Sequence, residues 1–218
     1  MNDNFSDTPS ENEINYVRAL SRPSIIKAYS NWNQLSDIER FLLNLYIKSD
    51  SKIIDLGCGT GRIVRTIELN TKNYLGIDCS LEMICAAQEL SPNYKFICED
   101  ILNPSNHGET YDVVLLMNNV IDMLHPHDRR EAAFKLFEKY LKPDGTLIYS
   151  SHLLANNSRA GYFEENYHGA IVNTYRASFS QLCEEAEKNG LEIKMAARDY
   201  RIQNADWLYI AAKTRLTS

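Results

Sequence analysis

The stretch Ile53-Ile54-Asp55-Leu56-Gly57-Cys58-Gly59-Thr60-Gly61 constrains this chain more than any other. A short apolar run breaks into three alternating glycines, and residues 62–69 then read as a helix. Glycine permits tight turns, positive φ and close approach of a ligand to the backbone. The helix amino terminus beyond it favours negative charge. Glycines at a strand-to-helix turn are the setting of a ligand-cradling loop.

The same grammar recurs along the chain. Residues 52–56, 74–77, 94–98, 112–117 and 146–151 read as strands, and residues 81–90, 128–141 and 178–188 as helices. Ser36-x-x-Glu39 is a capping box, followed by Ile38, Phe41, Leu42, Leu45 and Tyr46 at helical spacing. Ser80 is placed to cap the helix at 81–90, and residues 142–145, Lys-Pro-Asp-Gly, form a turn. Residues 191–198 and 207–212 are two final strands with no helix between them, so they must pair antiparallel. The expected fold is α/β: a doubly wound, mostly parallel seven-stranded sheet ending in an antiparallel hairpin. A ligand belongs in the crevice above the carboxyl ends of the first and fourth strands. Residues 1–35 read as an amino-terminal segment and lid, with 1–13 loosely attached. Residues 36–218 read as one domain with an insertion at 152–177.

Composition narrows the partners. A formal net charge of -6 argues against a long contact with nucleic acid or an anionic membrane. No apolar run approaches the length of a membrane span, and the opening MNDNFSDTPSENE lacks the features of a secretory signal. The five cysteines, Cys58, Cys79, Cys85, Cys98 and Cys183, fit neither a disulfide framework nor a zinc site. They read as small buried side chains in a reducing compartment, and the expected location is the cytoplasm. No histidine–carboxylate spacing suits a metal.

Two acids follow the glycine loop. Asp78 ends the second strand, where a carboxylate accepts hydrogen bonds from both hydroxyls of a ribose; the alternative is a helix cap. Asp100, just past the third strand, is placed to accept from an exocyclic adenine amine. Ile101 would then pack on the ring, and Met83 would lie on its other side or simply in the core. Enzymes that use NAD also carry an acid at the end of the second strand. Their glycine pattern is G-x-G-x-x-G, whereas this chain has Gly57-x-Gly59-x-Gly61.

Taken together, Asp55 to Gly61 resembles the first motif of the class I methyltransferases that use S-adenosylmethionine. Gly76-Ile77-Asp78-Cys79-Ser80-x-x-Met83 looks like their second motif, and Glu99-Asp100-Ile101 is similar to the third. Tyr111-Asp112-x-Val114 and residues 141–147 look like their fourth and fifth strands with the turn between. The resemblance implies S-adenosylmethionine as cofactor. It would be held by Asp55, Gly57, Cys58, Gly59, Gly61, Asp78, Cys79, Met83, Asp100, Ile101 and Asn118. Cys79 departs slightly from the common pattern, at a position expected to contribute backbone.

In that family the acceptor meets the methyl group near the end of the fourth strand, which here reads Met117-Asn118-Asn119. Either amide is suited to hold acceptor, cofactor amine or a water; the alternative is turn-forming asparagines. The chain has no Asn/Asp-Pro-Pro-aromatic tetrad there, which argues against amino-group methylation of nucleic acid or protein. His152, and less so His125, lie where a general base would act, while His127 reads as surface. Tyr29 and Trp32 are the preferred pair to close over the site. The expected reaction is methyl transfer to an oxygen or nitrogen of a small molecule, with Asn118, Asn119, His152 and Tyr29 positioning it. The alternatives are a peptide, protein or RNA acceptor, or an NAD-dependent oxidoreductase.

Overall fold

Mostly apolar runs make the middle of the sheet. In the computed structural model β1 (Ile53–Leu56) and β2 (Tyr74–Asp78) are buried at every position. The model describes residues 9–67, 73–103, 105, 108–154, 158–202 and 205–215. Parallel strands covered on both faces demand such runs. β1 lies between β2, with Ile54 opposite Leu75, and β4 (Tyr111–Leu116), with Ile54 opposite Val114. β3 (Lys95–Cys98) flanks β2, and β5 (Leu141–Leu153) flanks β4. All four of these pairings are parallel. The last strands, β8 (Leu191–Ile202) and β9 (Ala205–Thr214), pair antiparallel, and β9 runs antiparallel beside β5. The predicted seven-stranded sheet is therefore present, in the order β3-β2-β1-β4-β5-β9-β8.

Helices cover both faces. Ile53, Ile148 and Tyr209 pack with Leu42 and Leu43 of α3 (Asp37–Tyr46) and Ile63 of α4 (Arg62–Thr66). Ile54, Leu147 and Ile210 point the other way, to Phe134 and Phe137 of α6 (His127–Tyr140) and Leu182 of α7 (Phe179–Lys188). Successive strand residues alternate faces, so Ile53 and Ile54 serve different cores. Between β2 and β3 lies α5 (Leu81–Leu90), capped by the Ser80 side chain as expected. The Ser36–Glu39 capping box of α3 also forms.

The structure differs from expectation in three places. The turn predicted at 142–145 is a bulge within β5: pairing jumps from Tyr111–Leu141 to Val113–Thr146. Lys142 anchors it on the Asp112 carboxylate, 2.9 Å away. The 152–177 segment contains two strands, β6 (Gly161–Tyr167) and β7 (Ala170–Ala177), which form a hairpin. β7 joins the sheet by pairing with the end of β5, His152 beside Arg176. Its tight turn is His168-Gly169, both at positive φ, which is what a two-residue hairpin turn requires. Finally, residues 10–13 are not loose. Ser10 and Glu13 make a capping box for α1 (Glu11–Leu20), and α2 (Pro23–Asn31) follows. Residues 1–8, 68–69 and 155–157, on which parts of the sequence reading fall, lie outside the described residues.

Candidate functional site

The strand order reverses between β1 and β4, and the glycine corner lies there. The N–H groups of Gly57 and Cys58 both donate to the Ile77 carbonyl, which carries the chain from β1 towards β2. Gly57 has φ +78, and a Cβ there would strike Val120 at 2.5 Å. Gly59 has φ +54, and a Cβ there would meet nothing within 4 Å, so its backbone borders open space. Gly61, in left-handed conformation, is the N-cap of α4. The Cys58 side chain is buried against Gly76, and burial pushes its thiol pKa up.

A cavity of about 320 Å³ opens beside this corner. Its walls include Gly57, Gly59, Asp78, Cys79, Met83, Asp100, Ile101 and Asn118. Eight predicted cofactor-binding residues thus meet in one space. Asp78 is buried, with Oδ2 accepting from the Gly59 N–H and Oδ1 from the Ser80 N–H, both at 2.9 Å. Burial raises its pKa, and these backbone donors work against that rise. A carboxylate has more lone pairs than these two bonds use, so both oxygens remain able to accept. Asp100 is more heavily engaged. Its Oδ1 accepts from the Leu102 N–H at 2.9 Å, and its Oδ2 lies 3.0 Å from Arg129 Nη2.

Arg129 also pairs with Glu13 at 2.8 Å, and both side chains are nearly buried. This ties α1 to the cavity, whose roof it forms through Ile14, Tyr16, Val17 and Leu20. Asn12 donates to the carbonyls of Met123 and Asn173, and Tyr16 hydrogen-bonds Thr174 of β7. Sequence reasoning missed Glu13 and Arg129. The Ser10-x-x-Glu13 capping pattern was a visible sign of α1, but nothing local pairs residues 13, 100 and 129.

A smaller space of about 40 Å³ lies at Asp55, Gly57, Thr60 and Asn118, beneath Tyr29 and Trp32. Asp55 accepts a hydrogen bond from the Tyr74 hydroxyl at 2.6 Å, and burial pushes its pKa from 3.8 up to about 6. Tyr29 borders both spaces, and its hydroxyl lies 2.9 Å from that of Tyr167. α4 holds this roof in place. Arg65 donates to the carbonyls of Tyr29 and Ser30, while Arg62 stacks 4.4 Å from the Trp32 ring and pairs with buried Glu39.

Asn118 and Asn119 both have left-handed φ, 63° and 60°. Such a conformation costs an L-residue about 1–2 kcal/mol, least for asparagine, so the surroundings must enforce it. Asn118 borders both spaces, and its Oδ1 is buried with no hydrogen-bond partner among the described residues. Asn119 is set back: it is 1% exposed and bonded to His152. His152 is bonded to buried Asp122, and neither Asn119 nor His152 borders the two spaces. His125 packs edge-on against Tyr162, and His127 stacks near Tyr175.

A glycine corner at the switch point, with acids closing the strands to one side of it, defines a Rossmann-like domain built for a nucleoside cofactor. The antiparallel β9 beside β5 fits the ending that the sequence resemblance implies, and comparison with known proteins agrees. Residues 53–145 match a family model described as a methyltransferase domain. The ubiquinone/menaquinone biosynthesis C-methyltransferase UbiE of Campylobacter jejuni is 30% identical over 114 residues, 49% of this chain and 47% of that protein. The malonyl-[acyl-carrier protein] O-methyltransferase of Marinomonas is 26% identical over 154 residues, 66% of this chain and 55% of that one. The chain thus spans about half the length of the curated relatives it matches. Among solved structures, the 1,6-didemethyltoxoflavin-N1-methyltransferase of Burkholderia thailandensis superposes with a TM-score of 0.69 at 16% identity, covering 95% of this chain and 92% of that one. Residues 53–145 thus resemble a methyltransferase domain, and the chain shares its fold with a solved methyltransferase.

Proposed function

We propose that this protein transfers the methyl group of S-adenosylmethionine to an oxygen or nitrogen of a small molecule. One observation carries the reading: the glycine corner, Asp78, Asp100 and Asn118 border a single cavity. The residues fit the cofactor. Gly59 leaves open space where a side chain would stand, and Asn118 Oδ1 is a buried acceptor lacking a donor. Asp78 would take the ribose hydroxyls. Asp100, Ile101 and Met83 would hold the adenine. Gly57, Cys58, Gly59, Gly61 and Cys79 would offer backbone, and Asp55 and Asn118 would receive the amino group. When bound, the cofactor supplies an electrophilic methyl on a sulfonium. The chain's part is alignment and exclusion of water, and α1, Tyr29 and Trp32 lie where they would do both.

The relatives named above transfer to carbon, oxygen and nitrogen respectively, which suits chemistry resting on alignment rather than on a dedicated base. A roof over both spaces favours a small acceptor over a peptide or RNA, as does the net charge of -6. Residues 1–35 would act as the lid on a 36–218 domain, and the 152–177 insertion would select the acceptor. Among the described residues no helix is long and apolar enough to cross a membrane. The five cysteines are free, in keeping with a cytoplasmic location. Only Cys58 is buried, whereas Cys79, Cys85 and Cys98 are exposed, contrary to the expectation of buried side chains.

Calorimetry tests the cofactor. Both S-adenosylmethionine and S-adenosylhomocysteine are expected to bind the purified chain. Asp78→Ala, with its fold checked by circular dichroism, should weaken both by roughly ten- to a hundredfold, since it removes a charged hydrogen-bond acceptor. Well-folded wild-type protein that binds neither would refute the proposal.

A further inference from the structure

Asn119, Asp122 and His152 form a closed ring of hydrogen bonds behind the cavity wall. The Asp122 N–H donates to the Asn119 carbonyl at 3.0 Å. His152 Nδ1 lies 2.8 Å from Asp122 Oδ2, and His152 Nε2 lies 3.1 Å from Asn119 Nδ2. Asp122 is 0% exposed. Its carboxylate also accepts from Arg130 Nη1 at 2.8 Å, Ser151 Oγ at 2.6 Å and the His152 N–H at 2.7 Å.

A carboxylate held by three such donors accepts and does not donate. The proton between Asp122 and His152 therefore sits on Nδ1, which in the neutral imidazole leaves Nε2 as an acceptor. An accepting Nε2 must face the NH2 of Asn119, not its carbonyl oxygen. The tautomer thus sets the orientation of the amide. Ser150 Oγ accepts the Asn119 N–H at 2.8 Å, so backbone and side chain of this residue are both pinned. Asn119 is left-handed, and Asn118, directly before it, carries the unpartnered Oδ1 at the cavity.

We propose that Asp122 and His152 are positioning residues that hold Asn119, and through it aim the Asn118 amide at the amino end of the cofactor. His152 in this role does not touch the acceptor; it acts through the asparagine corner. The inference rests on the cofactor reading above.

Two measurements on the full chain test it. In long-range 1H–15N spectra with S-adenosylhomocysteine bound, His152 should show a protonated Nδ1 and a bare Nε2. Asp122→Asn should mix the two tautomers. A proton on Nε2 in the wild-type chain overturns the inference, whatever the variants do. The second measurement is calorimetry with S-adenosylhomocysteine. His152→Leu should weaken binding roughly tenfold, because the Asn119 amide loses its acceptor. His152→Gln, whose Oε1 can stand where Nε2 stood, should recover most of that loss. Asn118→Ala should lose a similar amount, and the double variant N118A/H152L should be no weaker than N118A alone, since both changes remove one interaction. Full additivity, unchanged binding in H152L, or H152Q as weak as H152L would each overturn it. A wild-type chain that binds no S-adenosylhomocysteine removes the cofactor reading as well. These other outcomes leave that reading standing.

Discussion

Asp55 is 2% exposed, yet it sits at the space beneath Tyr29 where a cationic amino group would be received. Burial raises its pKa from 3.8 to about 6, ahead of the opposing Tyr74 hydrogen bond and the Arg62 charge. The folded protein therefore holds this proton more tightly than the unfolded chain does. The resulting stability is fully present below about pH 4 and is lost as pH rises through about 6, by roughly 3 kcal/mol. Asp55→Asn has no such titration, so denaturant melts should show it gaining on wild type by up to that amount between pH 4 and pH 7. Binding should show the opposite trade. Affinity of the wild type for S-adenosylhomocysteine should rise through pH 6 as the carboxylate forms, and the variant should lack that rise. Asp55, Asp78, Asp100 and Asn118 were legible because each sits at a strand end that the hydrophobic pattern located. Asp122 and Arg129 were not legible, because their partners lie 30 and 116 residues away in the chain.

α1 is attached over the cavity by hydrogen bonds of Asn12 and Tyr16 and by the nearly buried Glu13–Arg129 pair. Removing one partner of such a pair strands the other charge and costs about 3–5 kcal/mol. Arg129→Met should therefore loosen the roof without unfolding the sheet. Hydrogen exchange read by mass spectrometry should show faster exchange across residues 11–20, with residues 53–56 unchanged. Equal acceleration in both would mean that α1 is part of the core and not a separate cover. At this level the sequence reading succeeded where one strong local signal existed, as with the Ser36–Glu39 box and the Ser80 cap. It placed residues 1–13 in a loosely attached segment, although Ser10 and Glu13 carry the same signal, because the polar start of the chain outweighed it. It also passed over the β6–β7 hairpin. Tyr162, Phe163, Val172 and Tyr175 are good strand formers, but they are interrupted by charges, and only the free edge of β5 gives them a partner.

The whole chain should respond to its cofactor by mass action. A ligand at about a hundred times its Kd stabilises the folded state by about 2.7 kcal/mol. For a chain of this size that corresponds to a rise in Tm of roughly 5–10 °C with S-adenosylhomocysteine, measurable by differential scanning calorimetry. NADH at the same excess should leave the Tm unchanged, and a rise with NADH instead would favour the oxidoreductase alternative. The linear pattern determined the strand and helix alternation and the parallel sheet, because periodicity and glycine spacing are local properties; the cofactor class came from the resemblance that its motifs carry. Tertiary structure decided what covers the cavity, that Arg129 bridges Glu13 to Asp100, and that His152 stands behind the asparagine corner. The physical reason is that side-chain partners across a folded sheet are chosen by register and helix placement, which no short window of sequence contains.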